Sequence, residues 1–377
     1  MYTRLFVVAV YVAVVIVLYR ARNIHSTYEA RTRYREGKLK PWEYSPYSSL
    51  WCHGDNGVSA AVHQRTCLLQ NICYVRDSST SRWVFYYNSS SPTFNFFEGR
   101  KRSVLPVGHV LVNLQAYQEG LERYWVPDLS NDTVPNDLFH LTEVNMLFHM
   151  FWPENFGHML VDDVMAAYWA LSMFSINTQD VQLIGSIMCD GIFIGSDLAR
   201  CERFYAQVLP SFSRHPLVSL PALVGNKSTM CFKRLVVGIG MRTMRDHNPA
   251  LRQQFREQVL VNLGRNPYSA PPKDLIVFLL KKGRRAPLNT EEAFNHIRTS
   301  FPEVTCELVN VTDMTFREQV FLMLRTTVLI TPCGGMSLIA LFLNPGAVSI
   351  FIDFYNPSLN ATDSMEGWAH QEAWFVC

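Results

Sequence analysis

Apolar positions along this chain change their spacing several times, and the changes divide it into regions. Leu5 to Tyr19 is an unbroken apolar run, with Arg4 before it and Arg20 and Arg22 after it. Residues 20–48 show no apolar period and are basic and Tyr-rich, which predicts an extended stem. Residues 50–140 carry short aromatic and β-branched runs, Trp83–Tyr87 and Val104–Val112, cut by Gly, Pro, Ser and Asn. That pattern predicts short strands joined by loops. Between 141 and 240 the spacing alternates. Phe156–Phe174 and Leu198–Val208 have helical periods, whereas Val181–Ile187, Ile192–Ile194 and Leu235–Ile239 read as strands.

The last third is the most regular. Asp274–Leu280 is a compact apolar run that predicts a buried strand, and Thr305–Val309, Thr327–Thr331 and Ala347–Asp353 read as three further strands. Between them lie helical patterns at Thr290–Ser300, with Asn289 as the N-cap, at Phe316–Arg325, and at Met336–Leu343. Strands alternating with helices of this length predict an α/β fold with a parallel sheet and right-handed crossovers. Ligands of such sheets bind at the carboxyl ends of the strands.

Length and composition then bound the reading. A chain of 377 residues exceeds one ordinary core and suggests roughly two domains. Its apolar fraction of 48% is enough for both. A net charge of +2, with no nucleic-acid motif, gives no reason to expect a nucleic-acid partner. The Leu5–Tyr19 run would span roughly 22 Å as a helix, which suits a short uncleaved anchor in a thin secretory membrane. Arg20, Arg22, Arg31, Arg33, Arg35, Lys38 and Lys40 would, by the positive-inside rule, keep the following segment cytoplasmic. Two other features favour the lumen. Five sequons stand at Asn88, Asn131, Asn226, Asn310 and Asn360. Nine cysteines, with no Cys-x-x-Cys pair, allow up to four disulfides with one left over, rather than a zinc site.

Three places carry candidate chemistry. In Thr331-Pro-Cys-Gly-Gly-Met-Ser337 a strand ends, Gly334 and Gly335 let the backbone approach a ligand, and a helix is predicted from Met336. Free N–H groups and a helix dipole there would favour a phosphate, although glycine also turns many sheet corners without binding anything. Lys281-Lys-Gly-Arg-Arg285 follows the first strand of the same sheet, where a cationic pair can grip a diphosphate. In Asn155-Phe-Gly-His158, followed by Asp162 and Asp163, the His and the first Asp lie four apart and share a helical face. A histidine oriented by a carboxylate is a general base. The alternative is a helix start at which Asn155 caps and the acids complement the dipole. The acidic pair also leaves room for a divalent metal. Neither Gly-x-Ser-x-Gly nor His-Glu-x-x-His occurs, so hydrolase readings lack support.

Four blocks in order resemble glycosyltransferase family 61, which includes protein-directed N-acetylglucosaminyltransferases and plant xylan arabinosyl- and xylosyltransferases. They are Arg65-Thr-Cys67 with Asn71-Ile-Cys-Tyr74; Asn155-Phe-Gly-His158 with Asp162; Lys281 with Arg285 and Leu288-Asn289; and Cys333-Gly-Gly-Met-Ser337 through Phe342-Leu-Asn-Pro-Gly-Ala347. Glu318-Gln319 also stands where the family commonly has that pair. Cys333 replaces a family His, Met336-Ser337 a Gly-Leu, and Lys281 an Arg.

The resemblance implies a GT-B-like α/β architecture of two Rossmann-like domains facing a cleft, behind an N-terminal membrane anchor. The implied layout is a tail at 1–4, the anchor at 5–19, a stem at 20–48, a cysteine-containing Rossmann-like domain at 49–245 and a nucleotide-sugar domain at 246–377. It implies a single-pass type II protein of the Golgi or endoplasmic reticulum. The implied reaction is inverting transfer of a sugar, GlcNAc or a pentose, from a UDP-sugar to a hydroxyl of a glycoprotein or polysaccharide. Lys281, Arg285 and Gly334, Gly335, Met336 and Ser337 would hold the donor, with His158 as base oriented by Asp162. No resident cofactor is implied. A GT-B protein usually continues further past its last strand than this chain does, so the expectation is either a truncated sequence or a reduced C-terminus. The alternative function is a non-catalytic luminal member that binds carbohydrate or protein.

Overall fold

The computed structural model describes residues 47–53, 66–76, 81–88, 110–111, 124–125, 127–135, 139–149, 155–187, 189, 198–238, 249–282, 286–352, 355–356 and 361–362. The expected tail, anchor and stem (1–46), the strand at Ile192–Ile194, Arg285 and Asn360 lie outside them. Among the described residues no helix is long and apolar enough to cross a membrane. Two compact units emerge, one holding the described residues up to 238 and the other those from 249 onward.

The first unit is built on an eight-stranded sheet. Its order is Asp128–Ser130, Ser81–Tyr86, Thr66–Arg76, Thr229–Val237, Phe139–His149, Val181–Ile187 and Val218–Ser219, with Ser49–His53 also paired to Thr66–Arg76. Thr229–Val237 runs parallel to Phe139–His149, which runs parallel to Val181–Ile187, and that strand to Val218–Ser219. On its other edge Thr229–Val237 meets Thr66–Arg76 antiparallel. Half of the sheet is therefore Rossmann-like and half is not, which narrows the expectation for this unit. Thr66–Arg76 is 11 residues long, where short strands were expected, and Phe139–His149, also of 11 residues, runs on into a stretch where no strand was expected. Polar residues such as Gln70, Asn71, Thr142 and Glu143 break the apolar pattern, and at Thr142 and Glu143 the pairing with Thr229–Val237 shifts register. Asn71 even takes a left-handed φ of 51°, a conformation that its short amide side chain tolerates.

Disulfides pin this sheet. Cys52 bonds Cys67, and Cys73 bonds Cys231; both pairs are directly opposed on neighbouring antiparallel strands. A third bond joins Cys189 to Cys201. Cys306 is a free thiol, and Cys377 lies outside the described residues. Around the first two bonds Leu69, Ile72, Phe232 and Leu235 are fully buried.

The second unit holds a four-stranded sheet, all parallel, in the order Thr305–Val309, Leu275–Leu279, Val328–Pro332, Val348–Ile352. Ile276, Phe278, Val328 and Ile330 pack with Ile297 and Phe301 on one face. The helix Phe316–Arg325 begins at a capping box in which Thr315 and Glu318 satisfy each other's backbone N–H. Asn289, expected to cap Thr290–Ser300, makes no side-chain cap bond. Thr290 instead donates its hydroxyl to the Pro287 carbonyl. The expected helix Met336–Leu343 is a 3-10 helix of six residues, Ser337–Phe342, stopped by Asn344-Pro345-Gly346. Gly346 takes a φ of 87° at that turn, which suits glycine.

The Cys73–Cys231 bond closes a loop of 158 residues through the centre of the sheet. Replacing both cysteines by serine removes that closure and should lower unfolding free energy by about 2–5 kcal/mol in urea titrations. A loss below about 1 kcal/mol would show that the sheet is held by packing alone.

Candidate functional site

Asn155 starts the helix that carries the first candidate group. Its side chain accepts from the Gly157 N–H at 3.0 Å, and its extended backbone is that of an N-cap. The helix is continuous to Ser172, but Met159–Met165 is wound as a π-helix. All seven residues of that segment are buried, Asp162 and Asp163 included. An apolar helix buried on every side leaves two adjacent carboxylates with no water to turn to, so each needs a protein partner. A wide turn of this kind is uncommon and often marks a functional site.

Asp162 finds His158. Nδ1 of the imidazole lies 2.6 Å from Asp162 Oδ2, and the His side chain keeps 21% exposure against 1% for the Asp. The buried end is thus the carboxylate and the accessible end the ring. With the Nδ1 proton donated to Asp162, Nε2 is the basic nitrogen. Burial pushes the Asp162 carboxyl above its ordinary range, and the hydrogen bond and charge of His158 pull it back in part. The other oxygen, Oδ1, is buried without a hydrogen-bond partner.

Asp163 finds a different neighbour. The Tyr205 hydroxyl donates to Asp163 Oδ2 at 2.5 Å. Tyr205 lies on the helix Leu198–Val208, whose Cys201, Tyr205 and Val208 are buried at i, i+4 and i+7 spacing. Phe204 of that helix also meets Phe156 edge to face at 5.8 Å. The two carboxylates are therefore committed to separate partners. Among the described residues no group of three or more His, Cys, Asp and Glu could hold a metal. Tyr205 was not singled out by sequence; the 4-3 spacing of Cys201, Tyr205 and Val208 was its only signal.

The second unit brings two other sequence candidates together. Leu275–Leu279 and Val328–Pro332 are neighbours, and the next strand in sequence after each lies on opposite sides of that pair. This is a topological switch point, where parallel sheets open a crevice beyond the carboxyl ends of the strands. Lys281 follows the first strand, and Cys333-Gly334-Gly335 follows the second. Lys281 Nζ donates to the Cys333 carbonyl at 3.1 Å, joining basic loop and glycine corner. Gly334 has a φ of 131°, reserved for glycine, and its carbonyl accepts the Ser337 N–H at 2.9 Å and the Ser337 hydroxyl at 2.6 Å. Ser337 is buried and thereby shapes the turn rather than facing a ligand, while Gly335 and Met336 are half-buried. A six-residue 3-10 helix is too short for the dipole on which the sequence reading leaned. Charge here comes from Lys281.

Other motif residues do structural work. Glu318 is held well ionised by the Thr315 backbone N–H, and Gln319 donates to the carbonyls of Val311 and Met314. Asn344 accepts from buried Arg256 at 2.9 Å and donates to the Leu324 carbonyl. Of the sequons, Asn131 and Asn226 are exposed. Asn310 instead caps a 3-10 turn, with Nδ2 2.7 Å from Asp313.

A sequence profile described as Glycosyltransferase 61 matches residues 141–350, which is more than half of the chain. That span contains the His158–Asp162 pair, Lys281 and the glycine corner. No curated protein matches the chain.

Replacing Asp162 by Asn removes a buried carboxylate without changing shape. Because the folded-state pKa of Asp162 is raised, its ionised form weakens the fold above the unfolded carboxylate range. That cost is relieved as pH falls through the folded pKa. The D162N variant should therefore melt at or above the wild-type temperature near pH ~7.5, with its advantage shrinking toward pH ~5. A lower melting temperature at both pH values would mean that the carboxylate contributes net stability.

Proposed function

The chain belongs to glycosyltransferase family 61, and on that premise we propose that it transfers GlcNAc or a pentose from a UDP-sugar to a hydroxyl of a glycoprotein or polysaccharide, with inversion. The observation that carries the reading is the partly exposed imidazole held by a buried carboxylate, His158 on Asp162. Inversion in one displacement needs a base for the acceptor proton and positive charge for the departing diphosphate. His158 Nε2 takes the proton as the hydroxyl oxygen bonds to the anomeric carbon. Asp162 keeps the ring in the required tautomer and stabilises the imidazolium as it forms. The bond from the anomeric carbon to the diphosphate oxygen breaks, and Lys281 with Arg285 receives the charge. Gly334 and Gly335 let the main chain approach the phosphates, while Met336 and Ser337 complete the turn.

The remaining parts of the reading rest on sequence. The Leu5–Tyr19 run supports a single-pass type II anchor in the Golgi or endoplasmic reticulum membrane. Exposed sequons and three disulfides fit a luminal catalytic part. We propose Asn131 and Asn226 as occupied glycosylation sites, with Asn88 and Asn360 open to the same test. Asn310 could carry a glycan only by giving up its contact to Asp313.

The full chain, expressed in a secretory host, is screened for thermal stabilisation by UDP-sugars, in Mn²⁺ and in EDTA. A donor at 100 times its Kd adds about 2.7 kcal/mol of apparent stability. We expect one UDP-sugar to stabilise the wild type and the His158→Ala variant alike, and Lys281→Ala to lose the shift. Transfer by His158→Ala should fall by about 10²-fold or more. Stabilisation without any transfer by the wild type would favour the non-catalytic binding role. Dependence of the shift on Mn²⁺ would add a metal to the donor site.

A further inference from the structure

The His158–Asp162 pair sits in a helical turn that cannot hold itself. A π-helix is rarely stable alone, and Met159–Met165 needs something outside it to keep the wide winding. Within the segment only Asp162 and Asp163 have charged side chains. Asp162 is taken by His158, so the tether must act elsewhere. From another helix the Tyr205 hydroxyl reaches into the segment and donates to Asp163 at 2.5 Å, a fully buried bond.

We propose that Tyr205 is a positioning residue for the transfer reaction, acting through Asp163 to hold the turn in which Asp162 orients His158. The inference rests on the reading of His158 and Asp162 as base and orienter. Three further observations support it. Burial, with the nearby Asp163 and Asp162 charges, pushes the Tyr205 hydroxyl well above its ordinary range, so it is always a donor here. The helix that carries Tyr205 is itself fixed, because Cys201, one turn earlier on the same face, is bonded to Cys189 just beyond the strand Val181–Ile187. Phe204, beside Tyr205, packs on Phe156, two residues before His158. Strand, disulfide, helix, hydroxyl and carboxylate thus form one continuous support behind the imidazole. Sequence neighbours have divided the labour: Asp162 faces the chemistry and Asp163 faces the scaffold.

The test reads the imidazole directly. The full chain is labelled with ¹⁵N-histidine, and His158 is assigned by the signal lost in His158→Gln. In the wild type we expect Nδ1 protonated and Nε2 unprotonated. In Tyr205→Phe we expect the His158 signals to move toward a mixture of tautomers. Asp163→Asn alone, which keeps an oxygen to accept the Tyr205 hydroxyl, should keep the wild-type pattern, and Asp163→Ala should not. With the UDP-sugar that stabilises the wild type, turnover of Tyr205→Phe should fall roughly 10- to 100-fold while KM stays within about 2-fold. In an Asp162→Asn background the same change should cost little more, because the step it serves is already lost.

Wild-type His158 signals in folded Tyr205→Phe would overturn the proposal, as would losses that simply multiply in the double variant. If Tyr205→Phe does not fold, the Asp163→Ala spectrum decides: unchanged His158 signals overturn it. If wild-type His158 carries its proton on Nε2, the base assignment itself fails, whatever Tyr205 does. The two failures are therefore distinguishable.

Discussion

Two adjacent carboxylates buried in an apolar helix are the constraint around which the first unit is arranged. Water cannot solvate Asp162 or Asp163, and a buried carboxylate without partners would cost several kcal/mol or shed its charge. The helix widens where they occur, and neighbours are supplied on two sides, an imidazole for one and a phenol for the other. An apolar pair at 162 and 163 would satisfy packing at less cost. What the carboxylates give in exchange is a histidine with a fixed tautomer at the accessible end of a rigid support. The Asp162 Oδ1 atom left without a bond shows that satisfaction stops short of complete. That imbalance is consistent with a site tuned for the ring and not for stability.

The second unit solves a different problem with backbone. A parallel sheet places its strand ends together, and the order 2-1-3-4 within this unit opens the crevice between the first and third strands. Lys281 and the glycine corner stand at the two lips. Lys281 donates to the carbonyl of Cys333, which orients its ammonium group at the corner. Arg256 shows another use of a cation. It is buried, its pKa is lowered to about 10 by desolvation, and its bonds to Pro267 and Asn344 serve only to close the loop after Phe342.

Periodicity made the second unit largely legible in advance, because its two central strands are buried at every position and each is written as one apolar run. Leu275–Leu279, Thr305–Val309, Val328–Pro332 and Val348–Ile352 lie within a residue or two of the runs that predict them. The first unit was less so. Thr66–Arg76 contains Gln70 and Asn71, whose side chains bond Ser49 and the Tyr47 carbonyl, so polarity there records local hydrogen bonds and not exposure. The antiparallel half of the sheet also leaves no mark on local spacing, since strand direction is decided by partners far along the chain. At the site, the four-residue step from His158 to Asp162 was readable because it is local. Tyr205 was not, because a partner 42 residues away from Asp163 obeys no local rule. The π winding was hidden for a related reason: in a segment buried all round, no polar face exists to betray the period.

The departures from the family pattern can be weighed by which atoms the structure uses. Where the family carries a His, this chain has Cys333, and its contribution to the corner is a main-chain carbonyl that any residue supplies. The Lys281 contact thus survives the substitution by construction, and Lys for Arg at 281 suits a single carbonyl better than a fork of five donors would. Ser337 stands where the family has Leu, and its hydroxyl closes on the Gly334 carbonyl, reinforcing a turn the glycine already makes. These changes retune how the corner is held and leave its charge and its backbone path in place. By contrast Asn155, Gly157, His158 and Asp162 match the family block, and there the side chains themselves carry the geometry. Tolerance to change follows the atoms used: it is wide where the main chain does the binding and narrow where an imidazole must meet a carboxylate.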